Sequence, residues 1–115
     1  MAQGANSSLE DAATIGSLLS HVTREDQIQS ALSMFDAVRR KRVDQLVRET
    51  FAQGEEHHLP DGVLQQQRDE RLARSMMPEF GPASEMPWTH PKIQSWVYDY
   101  HAYGEAEEAF AKNPF

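Results

Sequence analysis

The sequence predicts an all-α chain of three to four helices with no sheet of its own. Three observations carry that prediction. Apolar residues recur at three- and four-residue spacings over long windows. Alternation of apolar and polar residues never runs far enough for a strand. Glycine- or proline-bearing breaks separate the periodic stretches. At 115 residues there is room for one small domain, and 39 % hydrophobic residues is below the content of a typical compact one, so the isolated chain is expected to be marginally stable.

The first helix is expected from about Ser7 to Ser20. Leu9, Ala12, Ala13, Gly16 and Leu19 fall at near-helical spacing, with Ile15 and Leu18 widening the stripe. Ser7 and Glu10 have the S-x-x-E spacing of a capping box. Gly16 weakens the helix by about 1 kcal/mol relative to alanine, which is tolerable where another backbone packs closely. Upstream, Gln3-Gly4-Ala5-Asn6 is a small turn feeding this helix. The first N–H groups of a helix lack internal partners and carry the positive end of its dipole, and Gly4 would let an electron-rich ligand approach them. Most capped helix starts bind nothing, so these residues alone define a helix start before they define a site.

Thr23 and Asp26 have capping-box-like spacing ahead of a long helix from about Arg24 to Gln53. Ile28, Leu32, Phe35, Val38, Arg42, Leu46 and Phe51 trace one face, with Ala31, Val43 and Val47 beside it. Asp36 can pair with Arg39 or Arg40 one turn on. The run Arg39-Arg40-Lys41-Arg42 fans around the helix axis and reads as a solvated face, with a nuclear-import patch as the alternative.

Gly54 to Pro60 reads as a turn. Its Glu55, Glu56, His57 and His58 are adjacent residues, which rarely converge on one ion, so no metal site is expected. Asp61 then caps a polar helix from about Gly62 to Met76, whose apolar stripe is only Val63, Leu64, Leu72 and Met76. The proline-rich stretch from Met77 to Pro91 is expected to be extended, with Trp88 as an anchor. A last helix follows from Pro91 to about Ala111, with Ile93, Trp96, Val97, Tyr100, Tyr103 and Ala106 on one side for packing.

The net charge of −7 works against nucleic acid or anionic membranes as partners. Without cysteine there are no disulfides or thiolate metal sites, which fits a reducing compartment. No signal-peptide core and no apolar run near twenty residues is present, and a cytoplasmic location is expected.

The segment Gln3-Gly4-Ala5-Asn6-Ser7-Ser8-Leu9-Glu10-Asp11-Ala12 resembles the C-terminal flavin motif of the FAD-dependent aromatic monooxygenases, in particular the salicylate-hydroxylase-like group. The resemblance covers most of the chain. Phe35, Asp36, Arg39 and Arg42 stand in the family's Tyr-Glu-x-x-Arg-x-x-Arg pattern. Trp96-Val97-Tyr98-Asp99-Tyr100-His101-Ala102 is similar to its terminal Trp-Leu-x-Gly-Tyr-Asp-Ala, with Asp99 replacing the glycine and His101 the aspartate. The resemblance implies that Gln3, Gly4, Ala5 and Asn6 lie against the flavin of FAD. Amides around Ala5 and Asn6 would face the N1/C2 edge, which carries negative charge in reduced flavin. Glu10 and Asp11 would serve as first-turn carboxylates and, with Ala12, in packing.

The family's dinucleotide fingerprint is missing. Gly4, Gly16, Gly54, Gly62, Gly81 and Gly104 are too scattered to form Gly-x-Gly-x-x-Gly, and Met1 stands where the family has the end of its Gly-Asp run. The chain is therefore expected to be an incomplete C-terminal helical part of such an enzyme. Residues 1–76 would be a helical remnant of the FAD-binding monooxygenase's C-terminal region, 77–90 a proline-rich linker and 91–115 the C-terminal helix. The family reaction uses NAD(P)H to reduce FAD and dioxygen to hydroxylate an aromatic ring. No catalytic residue is expected here, and His21, His90 and His101 read as capping or surface groups. FAD is not expected to bind stably to the chain alone. The expected partner is the N-terminal FAD-binding half of a monooxygenase, from which a truncated or split form would be separated. The alternative function is a small helical protein-interaction module without catalysis.

Overall fold

A computed structural model of the chain describes residues 3–75 and 91–115. Among the described residues the chain forms helices α1 (Gly4–Ser20), α2 (Ile28–His57), α3 (Val63–Ser75), α4 (Pro91–Tyr98) and α5 (Ala102–Lys112), with a single 3-10 turn (Glu25–Gln27) before α2 and no strand. The class is all-α as expected. The expected count of three to four helices is corrected to five, because the single helix expected over 91–111 breaks at Asp99–His101. The proline-rich stretch and His90 lie outside the described residues.

The α4–α5 break has a local cause. Asp99 N–H ends α4 on the Ser95 carbonyl at 2.9 Å, and the His101 ring then starts α5 by accepting from Gly104 N–H at 2.9 Å. His101 is thus the N-cap that its reading as a capping group anticipated. Gly104 suits this cap, because a Cβ there would stand 2.8 Å from His101 Nδ1.

The described chain divides into two units, residues 50–100 and residues 2–49 with 101–115. In the second, α1 and α5 pack directly against each other. Leu18, Ala102 and Ala106 are buried there, and the alanines allow close approach of the two helices. Polar contacts flank this seam. The Glu107 carboxylate accepts from Ser17 Oγ and lies 3.0 Å from His21 Nε2, while the His21 ring stacks on Phe110 at 3.9 Å. Phe110 meets Phe115 edge-on at 5.0 Å, and Gln27 Nε2 donates to the Phe115 carbonyl at 3.1 Å.

The buried stripe of α1 runs Glu10, Thr14, Ser17 and Leu18, at helical spacing but mostly polar. The expected stripe is corrected in its main run, which sits one residue out of phase with Leu9 69 % exposed, while Leu18, expected beside it, is buried. Gly16 is exposed, and among the described residues no backbone comes within 4 Å of where its Cβ would stand. On α2 the buried positions are Ala31, Arg39, Arg42, Leu46 and Gln53. Ile28, Leu32, Val47 and Phe51, counted on or beside its apolar face, are exposed.

The helix starts also differ from expectation. Thr23 and Asp26 do not form a capping box. The Gln27 side chain instead accepts from Thr23 N–H at 2.9 Å and Arg24 N–H at 3.0 Å, fixing the 3-10 turn. The turn expected at Gly54–Pro60 begins later, since α2 runs to His57.

In the unit of residues 50–100, Arg68 on α3 donates to the Glu56 carbonyl at 2.8 Å and the His57 carbonyl at 3.0 Å, satisfying the last carbonyls of α2. His58 Nδ1 donates to the Gly54 carbonyl at 2.7 Å. Gly62, at φ 155°, supplies the backbone conformation that turns the chain into α3. No Asp61 side-chain bond caps that helix among the described residues, and Val63 and Leu64 on it are exposed.

Candidate functional site at the start of α1

Helix α1 begins at Gly4, three residues earlier than the sequence pattern indicated, with Gln3 as its N-cap. Its first i→i−4 bond runs from Ser7 N–H to the Gln3 carbonyl at 2.8 Å. Ser7 is therefore inside the helix, and the expected Ser7–Glu10 capping box does not form. The N–H groups of Gly4, Ala5 and Asn6 precede the first such bond, where a helix presents unpaired donors. All three residues are exposed, Gln3 is half-buried, and a Cβ at Gly4 would meet nothing within 4 Å. The four expected flavin-contacting residues thus come together on an open helix end.

Behind this end lies a buried ion cluster. Arg42 on α2 grips the Glu10 carboxylate with two hydrogen bonds, Nε to Oε2 and Nη2 to Oε1, each 2.8 Å. Arg39 Nη1 lies 2.8 Å from Glu10 Oε2, and its Nε donates to Asp11 Oδ1 at 2.7 Å. Arg39 also reaches the Ser7 carbonyl at 3.4 Å and the Ser7 hydroxyl at 3.3 Å. The Glu10, Arg39 and Arg42 side chains are no more than 9 % exposed, while that of Asp11 is 41 % exposed. Burial pushes the Glu10 carboxyl upward, but hydrogen bonds and charge from Arg42 and Arg39 outweigh it and hold it below its ordinary value. Glu10 is therefore a carboxylate at neutral pH.

The solvated-face reading of Arg39-Arg40-Lys41-Arg42 is corrected for its two ends. Arg39 and Arg42 are buried by Glu10 and Asp11, whereas Arg40 and Lys41 are exposed. Arg40 makes the expected one-turn pair with Asp36, at 2.6 Å. One signal of the cluster was present in the sequence: Arg42 stands within an otherwise apolar face of α2. Adjacent acids Glu10 and Asp11 are its counterpart.

The cluster reaches the open end through Asn6. Its Nδ2 donates to Glu10 Oε1 and to Gln3 Oε1, both at 3.1 Å. Two of the four candidate residues are in this way joined to two arginines on another helix. No three side chains of His, Asp or Glu gather as a metal site among the described residues. No helix among them is long and apolar enough to cross a membrane.

The chain is 37 % identical over 111 residues to the FAD-dependent monooxygenase OpS4 of Beauveria bassiana (strain ARSEF 2860), covering 96 % of this chain and 26 % of that protein. The matches support a C-terminal fragment of an FAD-dependent monooxygenase family. It is 32 % identical to the FAD-dependent monooxygenase atnJ of an Arthrinium species, again over 96 % of this chain and 25 % of the relative. A third, ntnJ of a Nectria species, is 31 % identical over 86 % of the chain and 23 % of its own length. The chain thus spans about a quarter of the length of the curated relatives it matches. No protein-family model and no solved structure matches it.

The donor set at the start of α1 fits one part of FAD, the electron-rich edge of its ring. A positive helix end and open backbone N–H groups suit an edge that becomes anionic on reduction. The pyrophosphate has no counterpart here, since a glycine-rich strand-to-helix turn is absent from the sequence.

Proposed function

We propose that this chain is the flavin-edge segment of an FAD-dependent monooxygenase that hydroxylates an aromatic substrate with NAD(P)H and dioxygen, and that it is inactive without the nucleotide-binding remainder. Bound FAD would supply the redox chemistry. The residues of this chain would bind and orient. Gly4, Ala5 and Asn6 aim backbone N–H groups outward, Gly4 leaves room for a ring, and Gln3 and Asn6 frame the approach. No side chain here is assigned the role of acid, base or nucleophile. The partner in this reading is the N-terminal FAD-binding half, carried on the same or another chain.

The observation that supports this reading best is the open, unobstructed start of α1 in a chain whose relatives are named FAD-dependent monooxygenases. The decisive experiment exchanges the matching segment of the Beauveria bassiana OpS4 protein for this chain. The exchange protein is expected to purify with yellow flavin absorbance and to oxidise NAD(P)H in the presence of an aromatic substrate. The 115-residue chain alone is expected to be colourless. An exchange protein that folds without retaining flavin would refute the reading.

A second reading, a helical interaction module, is favoured by Leu9, Ile28, Leu32, Val47 and Phe51, which are exposed at 40 % or more. The same experiment separates the two. A module needs no flavin, and the exchange protein would then be as colourless as the chain.

A further inference from the structure

Helix α1 has its polarity reversed. Its buried side is Glu10, Thr14, Ser17 and Leu18, while Ala5, Leu9, Ala12, Gly16 and Leu19 are exposed at alternating intervals of four and three residues, which places them on one face. Leu9 is 69 % exposed and Leu19 43 %. Over its 17 residues α1 is charged only at Glu10 and Asp11, and both are engaged by arginines of α2. The outward face therefore carries no charge. By contrast, the exposed sides of α2 and α5 hold Arg40, Lys41 and Asp44, and Glu105 and Glu108. A helix face kept in water normally bears such residues, and an apolar one without them is suited to being covered.

Two further features of this face agree. Ser8 Oγ donates to the Gly4 carbonyl at 3.0 Å and Ser20 Oγ to the Ser17 carbonyl at 2.7 Å, so the hydroxyls near it are satisfied within the helix itself. Gly16 lies in the middle of the stripe, where glycine weakens a helix relative to alanine. Beyond its own helix, nothing among the described residues comes within 4 Å of where its Cβ would stand. This chain gives the glycine no use, whereas a second backbone passing close to the face would.

We propose that the outward face of α1, centred on Leu9, Gly16 and Leu19, is the docking surface for the nucleotide-binding remainder of a monooxygenase, which covers it with an uncharged, apolar surface and passes its backbone close to Gly16. The chain spans about a quarter of the relatives it matches, which leaves about three quarters of such a protein to cover it. A C-terminal fragment receives that remainder at its first helix, and α1 is the first helix here. A lipid surface fits less well, because interfacial helices carry Lys or Arg beside their apolar face and α1 has neither. The proposal rests on the reading of this chain as part of a larger FAD-dependent monooxygenase, but not on where the flavin lies.

The chain has no cysteine, so a single one reports on one position. Leu9→Cys and, as a control on a charged surface, Lys41→Cys are made in the 115-residue chain and in the OpS4 exchange protein. Reaction with a water-soluble maleimide is followed by mass spectrometry of the peptide concerned. Both are expected to react fast in the chain alone. In the exchange protein Leu9→Cys is expected to react at least about tenfold more slowly, and Lys41→Cys within about twofold of its rate in the chain alone. Gly16→Ala gives a second readout that needs no labelling. It is expected to raise the thermal midpoint of the chain alone, and to lower that of the exchange protein by about 3 °C or more, where the added methyl meets the remainder.

Equal reaction of Leu9→Cys in the two proteins, equal slowing of Lys41→Cys, or a raised midpoint for Gly16→Ala in both overturns the proposal. Protection of Leu9→Cys that grows with the concentration of the chain alone also overturns it, by assigning the face to a second copy. Sedimentation of the chain with phosphatidylcholine vesicles does so by assigning it to lipid. An exchange protein that protects Leu9→Cys yet holds no flavin refutes the flavin-edge reading and leaves this docking surface standing. One that holds flavin with Leu9→Cys unprotected does the reverse.

Discussion

Glu10 and Arg42, thirty-two positions apart, are joined by two hydrogen bonds of 2.8 Å, a bidentate pair buried between α1 and α2. Arg39 completes the cluster from the same helix. In a unit whose buried apolar residues are Leu18, Ala31, Leu46, Ala102 and Ala106, this ion layer replaces the leucine-rich seam that normally joins two helices. Planar guanidinium groups suit the role, since each can hold a carboxylate through parallel N–H donors.

Removing Glu10 takes away the carboxylate that Arg42 and Arg39 share, while Arg39 keeps its bond to Asp11. Glu10→Ala is expected to destabilise the chain by about 3 kcal/mol or more, enough to unfold α1 from α2 in a protein of marginal stability. Arg42→Met should do nearly the same. Replacing Glu10, Arg39 and Arg42 together by Leu, Met and Met should restore most of the loss. Urea unfolding followed by circular dichroism compares the single and triple variants.

Acid should release the same contacts. The Glu10 carboxyl is lowered in the folded chain because Arg42 and Arg39 outweigh the effect of burial. Its stabilising contribution is therefore complete above the ordinary value of 4.5 and is lost as pH falls below it, through the lower folded value. Glu107 behaves in the same sense, lowered first by the Ser17 hydrogen bond and then by His21. Thermal midpoints measured from pH 7 to pH 3 should fall below pH 4.5 in the wild type. The gap between wild type and E10Q should narrow over the same interval. A constant gap would mean that the Glu10 charge contributes nothing to folding.

Gly16 lies inside α1, exposed, with open space where a Cβ would stand. Gly16→Ala is expected to stabilise the 115-residue chain by about 1 kcal/mol, through helix propensity and reduced freedom of the unfolded chain. A lower thermal midpoint in this variant would show that a neighbour approaches Gly16 closely.

Gly104→Ala should act in the opposite direction. Its Cβ would stand 2.8 Å from His101 Nδ1, displacing the ring that caps α5. Loss of the cap is expected to cost about 1 kcal/mol, seen as faster amide exchange in the first turn of α5 with α3 unaffected.

The helices were legible in the sequence to within a few residues because their apolar periods are long, and the family was legible in the run from Gln3 to Ala12. What the pattern hid has a common cause. Apolar periodicity assigns a buried face by counting Leu, Val and Phe, but the buried face of α1 is Glu10, Thr14, Ser17 and Leu18. Those residues are buried because partners distant in sequence satisfy them, Arg39 and Arg42 for Glu10 and Glu107 for Ser17. The single helix expected after Pro91 failed for a related reason. Trp96, Val97 and Tyr100 keep the helical period up to His101, and only the side-chain cap at Gly104 reveals that a new helix begins there.

Gly4 provides the most direct measurement of the flavin-edge assignment. A Cβ there would meet nothing within 4 Å, so a loss of flavin on substitution reports on what the helix end faces. Gly4→Leu should leave the thermal midpoint of the 115-residue chain within about 1 °C, and in the OpS4 exchange protein should remove most of the flavin absorbance that the unmodified exchange protein retains. Full flavin occupancy with leucine at position 4 would show that the start of α1 does not face the ring.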